Sequence, residues 1–338
     1  PVFAYALERW PAEPVLVLLF HREPLVGAAR EFHDLLQAAA TAEPNEANVR
    51  VQAVDVTGAM DEAVSNVWQR HTGETLPLAV CLYPEGEREF WAGSPSADAA
   101  RRLLDSPVRR SVARELLKGA SGVWVLMETG DAARDAEALR KLNEALAEAQ
   151  QSLRIAEVDP ADAERYMSRP PATLSIQFQV VRLNRRAPEE EFFVRMLDNA
   201  FAPVPAGEPA AFVFFGRGRV ATVLHGNRLA REWVLPVCSF LTGICSCEVK
   251  EMNPGVDLLF SAGWSHYIIG RYTLDESLPE LVGISALAAP VATSAPPAAV
   301  PPPVPAAARR VLVGVALALA GLVLLGSLVV RLRKTQDS

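Results

Sequence analysis

The sequence has no excess of positive charge. Its 338 residues include 33 Lys and Arg against 40 Asp and Glu, which gives a formal net charge of -7 at neutral pH. Proteins that bind nucleic acid need a basic surface that displaces the counterions around phosphates. The composition therefore argues against a nucleic-acid binder. Short basic stretches such as 182–186 and 216–219 are expected to be solvated strand ends or hairpin tips.

Cysteine is scarce, and its spacing is unusual. The chain has four Cys, of which Cys238, Cys245 and Cys247 lie within ten residues of one another. None of them forms the Cys-x-x-Cys pair that is typical of structural zinc sites and of thiol–disulfide oxidoreductases. The fourth, Cys81, alternates along an apolar run and is expected to be a buried strand residue.

Charged residues are missing from two long stretches near the C-terminus. None occurs between 281 and 308, where Ala and Pro dominate from 286 onward and favour an extended spacer. Residues 311–330 are twenty successive residues without a charge, enough for a helix that crosses the ~30 Å hydrocarbon layer. We therefore predict an Ala/Pro-rich linker at 286–308, a single transmembrane helix at 309–331 and a short basic cytoplasmic tail at 332–338.

The predicted topology places the large N-terminal part outside the cytoplasm, in the periplasm. Basic residues flank the span on both sides, with a slight excess after it, which favours a cytoplasmic C-terminus. The chain begins with Pro1, as expected after removal of a signal peptide, although a shortened chain would begin in the same way. Gly314, Ala318 and Gly321 share one face of the span and suggest a homodimer through close helix packing.

The rest of the chain contains the same order of elements twice: strand, helix, strand, helix, hairpin, helix. In the first helix Val26, Phe32, Leu35 and Leu36 are expected to face inward. The second half adds a segment at 152–167 after its first helix. In that order, the elements of the first half are expected at 15–20, around 26–36, and at 49–56, 60–71, 76–93 and 97–118. Those of the second half are expected, in the same order, at 122–129, 131–150, 175–183, 188–201, 208–226 and 229–241.

This order resembles the thioredoxin fold. The resemblance implies an α/β protein with two thioredoxin-like domains in tandem, at 1–118 and 119–285. It also implies that Pro77 and Pro209, each directly before a penultimate strand, are cis. Enzymes of the family carry a Cys-x-x-Cys where the first strand meets the next helix, but 20–27 and 127–134 contain no cysteine. The resemblance therefore implies a fold without the catalytic dithiol.

His21 lies in the first of these two loops. Because no nucleophile accompanies it, a polar loop residue is favoured over a catalytic base. The sequence thus indicates no catalytic residue.

Three interpretations of the cysteine cluster remain open. Cys238 pairs with Cys245 or Cys247 in a structural disulfide. Alternatively, the three thiolates bind Cu or Zn. In the third, Cys245 and Cys247 form a strained disulfide that is active in thiol exchange. The metal interpretation needs a fourth ligand, from His225, Met252 or His266.

The segment "GICSCEVKEMNPGVDLL" (243–259) is similar to a segment of uncharacterised bacterial membrane-anchored proteins, in which another cysteine often stands at the position of Thr242. This chain departs from that pattern, which favours a structural role for the cluster. Taken together, the sequence predicts a membrane-tethered, extracytoplasmic module that binds a protein partner and has no cofactor. The alternative is a protein that handles thiols or a soft metal, with Cu or Zn as the cofactor.

Overall fold

The computed structural model describes residues 1–155, 173–205, 207–244 and 250–265. The linker, the predicted transmembrane helix, the basic tail and the small-residue face at Gly314, Ala318 and Gly321 lie outside these residues. Within the described ranges, no helix combines the length and the apolar character that crossing a bilayer would require.

The described chain alternates helices and strands and forms two sheets. Eight helices and nine strands are seen in the ranges given above. In chain order they are α1 (Val2–Arg9), β1 (Val15–His21), α2 (Gly27–Ala39), β2 (Val49–Asp55), α3 (Glu62–Gln69), β3 (Leu78–Leu82), β4 (Glu89–Gly93), α4 (Ala97–Leu104), α5 (Pro107–Lys118), β5 (Gly122–Glu128), α6 (Ala132–Ser152), β6 (Phe178–Asn184), α7 (Glu191–Ala200), β7 (Ala210–Phe215), β8 (Arg219–His225), α8 (Arg231–Thr242) and β9 (Val256–Asp257).

The first sheet has the strand order β2-β1-β3-β4. β1 runs parallel to β2 and antiparallel to β3, and β4 is antiparallel to β3. Almost every residue of β1 and all of β3 are buried. Central strands that are covered on both faces have continuous apolar sequences, and this explains the runs "VLVLLF" and "LAVCL".

The second sheet repeats this arrangement in the order β6-β5-β7-β8 and extends it with β9. β5 is parallel to β6 and antiparallel to β7, and β8 is antiparallel to β7. Four strands in this order, with the third antiparallel to the others, form the sheet of the thioredoxin fold. The predicted α/β class with two thioredoxin-like sheets is therefore confirmed.

The two halves share one hydrophobic core. Buried residues of both sheets belong to it, from Val17 on β1 to Phe212 on β7. The predicted boundary after residue 118 does fall between α5 and β5, but the described residues on both sides of it form one compact unit. The two sheets are therefore two lobes of one body.

Two segments join the lobes. α1, which the sequence did not predict, packs on the second lobe, where the Val2 N–H donates to the Gly243 carbonyl at 3.0 Å. In the segment after β9, the Phe260 ring contacts the Phe193 and Phe214 rings of the second lobe. The same segment bonds to the start of β2, because the Phe260 N–H donates to Asn48 Oδ1 at 2.8 Å.

Two expectations about the first lobe were wrong. The helix expected at 97–118 is broken in two, because Ser106 caps α5 with its side chain and Pro107 occupies the first helical position. This is the usual place for proline in a helix. Val26 does not face inward: it is the extended residue before α2 and is 74% exposed.

Candidate functional site

A groove opens at the carboxyl end of β1, where the chain turns into α2. Its cavity has a volume of about 330 Å³. Catalytic thioredoxin-like proteins hold their dithiol at this corner of the sheet, whereas the described residues that line it here include no cysteine. The lining residues are His21, Arg22, Glu23, Pro24, Leu25, Val26, Ala29, Leu76 and Pro77.

The β1–α2 loop gives the groove an exposed apolar side. His21 Nδ1 donates to the Glu23 carbonyl at 3.0 Å and so tightens the turn after β1. Gly27 then takes a positive φ of 54°, which glycine adopts without steric cost. The extended Val26 before it consequently presents its side chain to solvent. An apolar residue directly before the glycine that opens a helix is the sequence signal that points to this residue.

The opposite side of the groove is the turn that precedes β3. The Leu76–Pro77 peptide bond is cis, and β3 begins only at Leu78. Within the described ranges, the backbone N–H and carbonyl of Leu76 have no hydrogen-bond partner. Backbone groups that can accept a partner, next to apolar side chains, are what an extended peptide needs for binding. Sequence reasoning did not single out Leu76.

Charges of both signs surround this groove. Asp55, at the end of β2, accepts from the Thr57 N–H at 2.8 Å and from the Thr57 hydroxyl at 2.7 Å. These bonds lower the pKa of Asp55, and the nearby His21 lowers it slightly further. The Asp55 carboxylate is therefore ionised at neutral pH beside His21, whereas Arg22 and Glu23 line the groove itself. None of the groove's described lining residues is a cysteine, so these residues supply no thiol nucleophile.

The corresponding corner of the second lobe is closed. Asp135 on α6 is buried and folds the β5–α6 loop onto the helix: its carboxylate accepts from the Thr129 N–H at 2.8 Å and from the Gly130 N–H at 2.9 Å. The Thr129 hydroxyl donates to the same carboxylate at 2.9 Å. Both oxygens of this carboxylate therefore accept hydrogen bonds from the loop that joins β5 to α6.

The expectation of a cis bond before Pro209 was wrong, whereas the bond before Pro77 is cis. In the described part of the chain, the cis peptide bonds are those before Pro44 and Pro77. The turn before Pro209 is made differently, because Gly207 takes a positive φ of 81° and the Glu208 N–H donates to the Pro205 carbonyl at 3.1 Å. This turn reverses the chain ahead of β7 with a trans proline.

The cysteine cluster is only partly described. Cys238 lies on α8 and faces the core of the second lobe with no exposed surface. Its thiol is free, and burial raises its pKa to about 12, so the thiol stays protonated at neutral pH. A protonated, buried thiol is a poor metal ligand and a poor nucleophile. Cys245 and Cys247 lie outside the described residues. Cys81 is likewise a buried free thiol, as expected.

The proposed fourth metal ligands do not gather around Cys238. His225 Nδ1 pairs with Glu208 Oε2 at 2.8 Å, and Met252 is 75% exposed. His266 lies outside the described ranges. Among the residues that the structure describes, no group of three or more His, Cys, Asp or Glu side chains could hold a metal ion.

No family model matches the chain, and no curated protein matches it. Among solved structures, the chain is similar to a crystal structure of ERdj5, with 9% identity and a TM-score of 0.21 over 68% of this chain and 27% of that one. Zinc-bound human ERp44 shows 11% identity and a TM-score of 0.22 over 71% of this chain and 58% of that one.

A third similar structure holds the first two thioredoxin domains of Naumovozyma dairenensis Eps1p, with 11% identity and a TM-score of 0.20. The match covers 71% of this chain and 99% of that one. The chain thus spans about a quarter of the ERdj5 chain and somewhat more than half of the ERp44 chain. These proteins are thioredoxin-like, and the fold assignment of this chain stands on its own strand order.

Proposed function

We propose that this chain is a non-catalytic, thioredoxin-like module that binds an extended segment of a partner protein in the groove at the end of β1. One observation carries the proposal: an open cavity of about 330 Å³ joins an exposed Val26 to the free backbone groups of Leu76, at a corner that has no thiol. The partner's backbone would bond to Leu76, and an apolar side chain would rest against Val26 and Pro77.

The groove's own chemistry favours binding over catalysis. Its lining is mainly apolar, which contributes affinity through the burial of surface. Its polar groups are charged side chains and backbone atoms, which orient a ligand without reacting with it.

A site-specific photo-crosslinker tests this proposal. A benzoylphenylalanine at Val26, in the complete chain and in the cells that make it, should give a discrete adduct with one partner. The same group at Ile244, which is 62% exposed on the second lobe, is the matched control and should not give that adduct. Equal labelling from both positions, or none from Val26, would contradict the proposal.

Affinity measurements with the identified partner then show whether it binds in the groove or elsewhere on the surface. Val26→Asp should weaken binding about tenfold, because the loss of one buried valine side chain corresponds to roughly 1.5 kcal/mol. Ile244→Asp should leave the affinity unchanged. If both variants bind as well as the parent, the partner docks elsewhere.

We also propose that the module is held at a membrane with its large N-terminal part in the periplasm. The support comes from the uncharged run at 311–330 and the Ala/Pro-rich stretch before it. A tether of this kind raises the effective concentration of the groove near membrane-bound partners. Deleting 309–338 should release the protein from the membrane fraction, and a deleted chain that still sediments with membranes would refute the anchor.

A further inference from the structure

β6 is the outer strand of the second sheet, and its free edge is well defined. Among the described residues, which do not include 156–172, the strand pairs with β5 alone. The Ser121 N–H donates to the Gln177 carbonyl at 2.7 Å, so the backbone of Gln177 faces β5. Because backbone groups of successive residues point to opposite edges of a strand, those of Val180 and Arg182 face away from the sheet.

These outward groups have no partner in the part of the chain that the structure describes. One neighbour on the same edge does: the Phe178 N–H donates to Gln150 Oε1 at 2.8 Å. The N–H and carbonyl groups of Val180 and Arg182 make no such bond. They form a row of two donors and two acceptors, which is the pattern that an added strand recognises.

A trough lies beside this edge, between α6 and β6. Its volume is about 380 Å³. Leu139, Leu146, Phe178 and Val180 supply its apolar surface, and Asn143 and Gln150 supply polar groups. Alternate side chains of an added strand would point toward this trough, since successive side chains of a strand point to opposite faces.

The carboxyl end of β6 is locally basic in a chain whose net charge is -7. Arg182 is 63% exposed and pairs with Glu128 of the neighbouring strand. Two more arginines follow in the next loop: Arg185, which lies 3.9 Å from Asp198, and the exposed Arg186. Buried guanidinium nitrogens of Arg185 lack a hydrogen bond within the described ranges. This end of the strand is therefore complementary to a carboxylate.

We propose that the outer edge of β6 is a second protein-binding site, independent of the groove on the first lobe. It binds an extended acidic segment of another protein by strand addition. The segment's backbone bonds to Val180 and Arg182, an apolar side chain enters the trough, and an acidic side chain meets the arginines at 182–186.

Peptide probes and amide exchange on the 338-residue chain test the proposal. The first probe is an eight-residue peptide of alternating Thr and Val with Glu at both ends. A second probe has Lys at both ends, and a third has Glu ends but is N-methylated at every Thr and Val. NMR-detected exchange should slow about tenfold or more at the Val180 and Arg182 amides with the first probe. The Val51 and Ala53 amides, on the outer edge of β2, should not change.

The affinities of the three probes separate the contribution of the charged ends from that of the backbone hydrogen bonds. The Glu-ended probe should bind about two- to fivefold more tightly than the Lys-ended one, the range expected for an exposed charge pair. Arg182→Glu should reverse this preference, and Arg50→Glu, which makes the same charge change at an exposed position on β2, should not. The N-methylated probe should not bind, because it cannot donate to the strand.

Three outcomes would overturn the proposal. One is equal protection of the β2 and β6 edges, which would mean non-specific strand pairing. Another is the absence of protection at Val180 and Arg182 with every probe. The third is a concentration-dependent dimer, seen by sedimentation without peptide, in which the same two amides are protected, because the occupant of the edge would then be a second copy of this chain.

Discussion

Asn48, at the start of β2, joins three segments of the chain through its side chain. Asn48 Nδ2 donates to the Glu13 carbonyl at 2.7 Å and to the Leu258 carbonyl at 3.0 Å. Its Oδ1 accepts from the Phe260 N–H at 2.8 Å. Asn48→Ala removes all three bonds and leaves their backbone partners unpaired. We expect the free energy of unfolding to fall by about 2–4 kcal/mol, since each bond contributes about 1 kcal/mol.

Urea denaturation followed by tryptophan fluorescence measures this change. A loss of this size is a large part of the roughly 5–15 kcal/mol that stabilises a typical folded protein. Asn143→Ala is the matched control, because Asn143 is exposed on α6, and it should change stability by no more than about 0.5 kcal/mol. If both variants lose the same amount, Asn48 does not hold the C-terminal segment.

The Asn48→Asp variant tests the same three hydrogen bonds through their dependence on charge and pH. The carboxylate keeps an acceptor for the Phe260 N–H but places negative charge against the carbonyls of Glu13 and Leu258. Those contacts should raise the pKa of the new carboxyl in the folded state. A raised folded-state pKa means that stability is gained as pH falls through it. The Asp variant should therefore be less stable than the Ala variant at pH 7 and recover toward pH 4. A pH-independent difference between them would refute the assignment of these bonds.

Three further predictions concern buried polar groups and one thiol. Asp257→Asn should cost about 3–5 kcal/mol in urea denaturation, because Asp257 is buried against both Arg219 and Lys250; its loss leaves the buried Arg219 without a carboxylate and Lys250 with Glu13 alone, at 3.1 Å, and a loss below about 1 kcal/mol would contradict this. Burial raises the pKa of the Glu190 carboxyl above its ordinary value of 4.5. The protonated carboxyl therefore stabilises the folded state fully below pH 4.5, and this contribution is lost as the pH rises through the raised pKa. Glu190→Gln should therefore gain stability relative to the parent at pH 7 but not at pH 4, and an equal difference at both pH values would show that ionisation of this group is not the cause. Cys238 should react with iodoacetamide only after denaturation, since its thiol is buried and its pKa is raised to about 12; rapid alkylation of the native protein at pH 8, located by peptide mass mapping, would contradict this placement.

The central strands were predictable because their sequences are unusual. The runs at 15–20 and 210–215 have apolar side chains on both faces of the strand, and both faces must be buried to remove these side chains from water. The two strands therefore lie in the middle of a covered sheet. The lack of a dithiol at both strand–helix corners was equally visible, because it depends on residue identity alone. Together these features allowed the sheet topology and the lack of cysteine in both strand–helix loops to be predicted without coordinates.

The candidate groove was only half predictable. Pro77 was identified through the resemblance of the chain to the thioredoxin fold, and His21 through its place in the loop. Val26 was assigned to the core, because an apolar residue near the start of an amphipathic helix normally belongs to the buried face. The positive φ of Gly27 turns it outward instead, and that angle depends on how the loop closes over β1.

The sequence by itself determined the order of the elements, the central position of the apolar strands and the loss of the reactive thiols, because periodicity and residue type are local properties. The tertiary structure alone decided that α1 and the segment around Phe260 join the two lobes, that Asp135 binds the loop after β5, and that Pro209 is trans. Contacts such as the one between Asn48 and Phe260, which lie 212 residues apart, depend on how whole surfaces fit together. No local pattern carries that information, because such a pair forms only after both lobes have packed.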